Sequence, residues 1–282
     1  FGLIAIEAQT ATEAIHKHKE FLFSERLVYA AYALTQYIFK LFAPLQLSAI
    51  YPYQYASGSL PGYLYLYFLA PIALAGLLWK TWKKYPLVAL GLLFFLGNIV
   101  FLLQILPVGN AVMADRYAYV PSFGFFVALA AAAIALARYY PQARKLLWVV
   151  FVAYSAFLGY RTVERNKVWQ DSLSLWNDII EKQPSATVAY NNRGSTLRKL
   201  ENYKAAINDF AQAASQDTSY THAIYNLGTT QKDYAETLPA SQTRQKQLQK
   251  AIENLSIAIH QDREFVEAYH NRGLCYDLLG QT

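Results

Sequence analysis

Apolar positions fall into two regimes along the chain. Up to about residue 160 they run almost unbroken, and beyond it they recur at helical spacing among polar residues. The first regime holds five apolar runs, at 27–43, 62–78, 87–106, 120–137 and 146–160. A helix needs roughly 20 residues to cross about 30 Å of hydrocarbon. The shorter runs are extended by aromatic flanks: Trp79, Trp82 and Tyr85 at one boundary, Tyr139 and Tyr140 at another, Trp148 near a third. Such residues favour the headgroup level. The runs have almost none of the polar faces that a soluble helical core needs. The pattern predicts about five transmembrane helices over 27–160, preceded by a polar juxtamembrane or loop segment at 1–26.

The second regime, 161–282, is amphipathic and repeats itself. Asn192-Arg193-Gly194, Asn226-Leu227-Gly228 and Asn271-Arg272-Gly273 form a recurring N-x-G. Gly194 and Gly228 are 34 residues apart, the period of the tetratricopeptide repeat, a helix–turn–helix unit. From Gly228 to Gly273 the distance is 45, which is 34 plus an insertion of 11, expected in the polar stretch 238–246. Ala206, Phe210 and Ala213, then Ala251, Leu255 and Ala258, keep i, i+4, i+7 spacing. Small residues there admit the neighbouring helix and the larger one fills the gap. Ser172, Trp176 and Ile179 repeat that spacing as an earlier half unit. The expected fold is all-α: a polytopic transmembrane helix bundle followed by a tetratricopeptide α-solenoid.

Composition agrees with this division. Of 282 residues, 55% are hydrophobic and 16% charged, against about 25% charged in soluble proteins, and intrinsic disorder is excluded. Residues 1–160 hold 11 Lys/Arg against 5 Asp/Glu, a net of +6, and 161–282 hold 14 of each. A nucleic-acid binder would gather that excess in a polar, foldable patch. Basic residues between apolar runs point to membrane topology instead. Lys17, Lys19 and Arg26, then Lys80, Lys83 and Lys84, then Arg138, Arg144 and Lys145 mark cytoplasmic loops. The alternate loops carry only Asp115 and Arg116, which puts the repeats on the extracytoplasmic side of a multi-pass protein in a bacterial inner membrane or an ER-type membrane. Arg161, Arg165 and Lys167 run against that rule locally. The single cysteine, Cys275, permits no internal disulfide and no cysteine-based zinc site. His16 and His18, two apart, make a poor metal pair. No phosphate-binding loop, nucleophile elbow or dinucleotide fingerprint occurs. No cofactor is evident and no metal site is expected. The chain opens at Phe1 rather than Met and stops at Thr282 within a helical pattern, so it reads as a piece of a longer protein.

Stacked repeats leave an extended concave surface lined by the first helix of each unit. Asn192, Asn226 and Asn271 share one register there. An amide offers donor and acceptor to the backbone of an extended peptide, although the same asparagines could instead stabilise their own helix packing. Asn191, Arg198, His222, Tyr225 and Lys232 are further candidates for that lining.

Three membrane segments carry a resemblance: Tyr37-Ile38-Phe39-Lys40-Leu41-Phe42-Ala43-Pro44, then Leu47-Ser48-Ala49-Ile50-Tyr51-Pro52-Tyr53, then the stretch 106–124 with Asp115, Arg116, Pro121, Ser122 and Gly124. With repeats downstream, the chain resembles the transmembrane-and-tetratricopeptide O-mannosyltransferases and their bacterial relatives, of the GT-C glycosyltransferase superfamily. The resemblance implies transfer of a sugar, mannose by that likeness, from a polyprenyl-phosphate carrier to protein hydroxyls on the extracytoplasmic face. It implies that the catalytic acidic residues lie upstream of this chain, so it names none here. Arg116 then suits the lipid phosphate, since guanidinium is a rigid fork whose charge persists. Asp115 would hold Arg116 or meet sugar hydroxyls. Lys40, in the outer part of an apolar run, either faces a cavity or snorkels. Tyr51, Tyr53, Tyr117 and Tyr119 could stack on sugars. The repeats would present the acceptor protein. The alternative is a non-catalytic, membrane-anchored scaffold; a transporter component is weaker, as no pair of discontinuous helices occurs in matching halves.

Overall fold

The computed structural model describes residues 21–55, 58–105 and 111–280. Residues 1–20, including His16, His18, Lys17 and Lys19, lie outside the described residues. The chain forms two compact units that divide between Lys167 and Val168, and among the described residues the regular elements are helices and one two-stranded ladder.

The first unit is built from α1 (Phe23–Phe42), α2 (Leu69–Thr81), α3 (Pro86–Ile99), α4 (Tyr119–Tyr139) and α5 (Arg144–Val168). Short 3-10 turns lead into α2 and α4 and extend α3 to Leu102. Among the described residues, three helical stretches are long and apolar enough to cross a membrane: Gly62–Thr81, Asp115–Tyr139 and Pro141–Val168. Pro86–Leu102 is apolar but shorter. Pro86 occupies the first turn of α3, where its missing N–H costs nothing. The run at 146–160 is the middle of α5, which continues unbroken to Val168 and buries none of its residues in the unit.

The expected first span, 27–43, departs from the pattern. α1 is 20 residues long but carries Glu25, Arg26 and Lys40, and described residues of the following loop meet it at three points. Near the C-terminal end of α1, the Lys40 ammonium sits 4.8 Å from the Tyr51 ring. Farther back, the Tyr29 hydroxyl donates to Tyr55 O (3.1 Å) and accepts from Tyr55 N (3.2 Å). At the N-terminal end, Gly58 N donates to Glu25 Oε1 (2.6 Å). Glu25 also accepts from Leu22 N (2.9 Å), which caps the helix. The described backbone at 51–55 and 58–61 is not helical. Non-helical backbone is tolerated at membrane depth only where protein or a cavity covers it, and α1 buries one face within the unit. Its buried face (Tyr29, Ala30, Ala33, Leu34 and Tyr37) forms the core with Phe95, Ile99, Val112, Met113 and Phe125.

α3 and α4 meet backbone to backbone. A Cβ on Gly124 would lie 2.5 Å from Gly91 O, and one on Gly91 would lie 2.6 Å from Ala128 N. Small residues permit this approach where lipid supplies no hydrophobic drive between helices. Gly124, part of the 106–124 stretch, is therefore explained by packing.

The second unit is a run of antiparallel helices: α6 (Ser172–Lys182), α7 (Thr187–Lys199), α8 (Tyr203–Gln216), α9 (Thr221–Glu236), α10 (Gln242–Gln261) and α11 (Val266–Leu279). Ile179, Ala206, Phe210, Ala213, Ala251, Leu255 and Ala258 are all fully buried. Gly194 and Gly228 sit against the second helix of their units, where a Cβ would fall 3.0 Å from the Phe210 ring or 2.8 Å from Leu255 Cγ. The insertion is not a loop. Relative to the first unit it adds three residues to α9, two to the connection and six to α10, eleven in all. Both helices of that pair are simply longer.

Candidate functional site

The strands β1 (Tyr51–Pro52) and β2 (Ala111–Met113) pair antiparallel, Tyr51 opposite Met113. That pairing joins the turn after α1 to the turn before α4 and brings three of the sequence-predicted residues together. The Tyr37 hydroxyl fixes the join from below: it accepts from Ala114 N (3.1 Å) and donates to Ala114 O (3.2 Å). The next residue is Asp115. Its Oδ1 accepts from the Tyr51 hydroxyl at 2.9 Å, with Gln46 O at 3.2 Å as a second acceptor sharing the same proton. Ser48 N donates to that hydroxyl at 2.7 Å. Burial, and after it the Asp115 carboxylate, push the Tyr51 phenol well above its usual range, so it remains a donor. Asp115 Oδ2 is buried with no hydrogen-bond partner among the described residues. A buried acceptor left unpaired is costly, and this one suits a hydroxyl donor from a ligand.

Arg116 and Lys40 are both held on the turn beside this carboxylate by backbone carbonyls. Arg116 Nη1 donates to Ala49 O at 3.1 Å, and its guanidinium lies 4.9 Å from the Tyr117 ring centroid. Lys40 Nζ donates to Leu45 O (3.4 Å) and Gln46 O (3.3 Å). The charges of Lys40 and Arg165 act on Asp115. Arg116 is exposed, so it holds donors toward the outside while its own fork is steadied by a carbonyl and a ring. Tyr117 acts as the platform for Arg116. Of the two readings of Asp115, an ion pair with Arg116 is not seen among the described residues: the carboxylate meets Tyr51 and the guanidinium meets Ala49. Sequence reasoning missed the roles of Tyr37 and of the turn carbonyls, which no residue pattern signals.

On the repeats, the asparagine register is partly spent on packing. Asn226 Nδ2 donates to Asn191 Oδ1 (3.0 Å), and Asn271 Nδ2 to the Tyr225 hydroxyl (3.1 Å). Asn191 and Tyr225 each precede the register asparagine of the previous unit, so the amides form a ladder from repeat to repeat. Asn192 is half-buried at the same register of α7. The other proposed lining residues are also engaged. Arg198 pairs with Asp233 (2.6 Å), Lys232 with Asp233 (3.1 Å) and Glu236 (3.3 Å), and His222 and Tyr225 pack on Phe265. Arg193 forks onto Asp209 at 2.8 and 2.7 Å and reaches Asn177 at 2.8 Å, tying α7 to α8 and α6.

Comparison with known proteins gives the following. The tetratricopeptide-repeat family pattern matches residues 188–220. The mouse protein O-mannosyl-transferase TMTC3 is 28% identical over 127 residues, 45% of this chain and 14% of its own length. The Xenopus laevis protein O-mannosyl-transferase tmtc2 is 29% identical over 119 residues, 40% of this chain and 14% of its own. The chain thus spans about one-seventh of the curated relatives it matches. A solved structure, that of MamA, aligns over 59% of this chain and 84% of its own at 22% identity, with a TM-score of 0.35. The chain carries a tetratricopeptide repeat, is similar in part to named O-mannosyl-transferases, and has helices suited to a membrane.

Proposed function

We propose that the chain is part of an integral-membrane glycosyltransferase that moves a sugar from a polyprenyl-phosphate donor to protein hydroxyls, with the repeats presenting the acceptor. The observation that carries this is the polar join of β1 and β2: an unpaired, buried Asp115 oxygen beside Arg116 and Lys40, at the ends of apolar helices. Phosphate at Arg116 and Lys40 would leave a sugar hydroxyl to donate to Asp115 Oδ2. The partial likeness to O-mannosyl-transferases supports the same reaction class.

The geometry also supports one topology. Taking α1 as a layer leaves four apolar helices, α2 to α5. Lys80, Lys83 and Lys84 then share the cytoplasmic side with Arg138, Arg144 and Lys145, as the positive-inside rule asks. The β1–β2 join and the repeats fall on the other side, and the segment before α1 joins them there, opposite to its expected cytoplasmic placement. Amide groups of the asparagine register would meet the acceptor backbone.

The test is sugar transfer by the intact protein in proteoliposomes. Arg116→Ala is expected to lower transfer at least tenfold, the scale of a lost charge-assisted hydrogen bond, with the fold unchanged. Full turnover in that variant removes Arg116 from the donor site. Absence of any transfer, with repeat-dependent capture of proteins retained, favours the scaffold reading.

A further inference from the structure

Three basic side chains from three separate elements converge on one turn. The carbonyls of residues 44–49 receive Arg161 of α5 at Pro44 (3.2 Å), Lys40 of α1 at Leu45 and Gln46, and Arg116 at Ala49. A carbonyl orients a cation without cancelling its charge. Arg165, one turn beyond Arg161, acts on both Asp115 and Tyr51. Lys40 and Arg165 thus act on the Asp115 carboxylate, while Arg116 and Arg161 are held on carbonyls of the neighbouring turn. Tyr154 secures α5 to the same place, its hydroxyl donating to Leu41 O at 2.7 Å. The charge pattern points the same way. Positive residues are disfavoured at the outer end of a span, yet α5 ends in Arg161, Arg165 and Lys167. Lys167 is accounted for by Glu164 at 2.7 Å. Arg161 is held instead on the turn that carries Lys40 and Arg116.

We infer that Arg161 is a third arm of an anion site shared with Lys40 and Arg116, and that the site takes a phosphate ester group. Forked guanidinium donors and an ammonium arriving from different directions match a tetrahedral group with several charged oxygens better than a single planar carboxylate. The inference rests on the proposed donor reading and deepens it, because it makes α5, the helix leading to the repeats in sequence, part of the donor site. The phosphate can belong to a lipid or to a soluble ester, and the chemistry at the three side chains is the same.

The experiment uses the full chain in phosphatidylcholine nanodiscs, with farnesyl phosphate as probe and inorganic phosphate as competitor. Arg161→Gln is expected to weaken farnesyl phosphate binding about tenfold, the effect of one charge-assisted hydrogen bond. Arg161→Lys keeps the charge and is expected to lose a smaller, measurable factor, which serves if the glutamine variant does not fold. Lys167→Gln is expected to bind as the parent does. Displacement by inorganic phosphate assigns the site to soluble phosphate esters, and resistance to it assigns the site to lipid; both support phosphate recognition. Parent-like binding by the Arg161 variants overturns the inference. So does an equal loss in Lys167→Gln, which would mean diffuse attraction, or no binding at all. Sugar transfer is not read here. Arg161-dependent binding without transfer sinks the proposed reaction alone, while loss in Arg116→Gln but not at Arg161 sinks this inference alone.

Discussion

Gly124→Ala adds one methyl group where α3 and α4 touch. The new Cβ would stand 2.5 Å from Gly91 O and 2.6 Å from Phe95 N, whereas ordinary contact begins at 3.4 Å. The two backbones must therefore separate by about 0.9 Å, since neither partner is a side chain able to swing away. A gap of roughly 0.5–1 Å forfeits a quarter to a half of each dispersion contact along the seam. That seam includes Val88 and Leu92 against Ala128 and Ala131. Overpacking of this kind costs about 1–3 kcal/mol, and unyielding backbone puts Gly124→Ala at the upper end. The assay is reversible unfolding of the whole chain in mixed micelles, titrated with denaturing detergent and followed by circular dichroism. Gly97→Ala, on the same α3 but with nothing within 4 Å, is the control, expected to be neutral or stabilising by up to about 1 kcal/mol from helix propensity. Gly91→Ala should resemble Gly124→Ala. The double variant should cost less than the two singly, because one separation relieves both clashes. A parent-like midpoint for Gly124→Ala, or an equal loss for Gly97→Ala, refutes the close-packing argument.

Other expectations follow from the same contacts. Tyr51→Phe removes the donor to Asp115 Oδ1 and should lower stability by about 1–3 kcal/mol, measured by the same detergent titration; an unchanged midpoint would mean that water replaces the hydroxyl. Asn226→Asp sets a carboxylate against Asn191 Oδ1, the present acceptor; hydrogen exchange in α7 and α9 should accelerate relative to Asn226→Ala, and equal protection in the two variants would count against the ladder. Cys275 is fully buried, and burial pushes its thiol up to about 11 from 9.0. The folded pKa is the higher one, so the thiol's contribution to stability is complete below pH 9 and declines as pH rises through 11. Alkylation at pH 8 should be slow in the folded chain and fast after unfolding, and rapid labelling of folded protein would contradict that burial. Because Cys275 is closed to reagents, sidedness of the repeats is better read from a cysteine placed at the exposed Ser215. An impermeant reagent should label it in intact cells if the repeats are extracytoplasmic.

The two halves of this protein differ in how openly their order is written. Unbroken apolar runs and a 34-residue period depend only on which residues are apolar and how far apart they stand, so the helices, the repeats and the buried positions Ala206, Phe210, Leu255 and Ala258 could be read directly. Each follows from local periodicity and the need to bury one face. The placement of α1 could not be read that way. Its apolar content resembles a span, and only the structure shows its contacts with Tyr51, Tyr55 and Gly58 of the following loop. The same holds for the site. Asp115, Arg116 and Lys40 drew notice as charges in apolar surroundings, but their partners are backbone carbonyls and a tyrosine 64 positions away, and the same turn receives Arg161 from 117 positions beyond Pro44. Such contacts depend on which distant segments the fold brings within 3 Å, and backbone carbonyls carry no residue identity for a pattern to reveal.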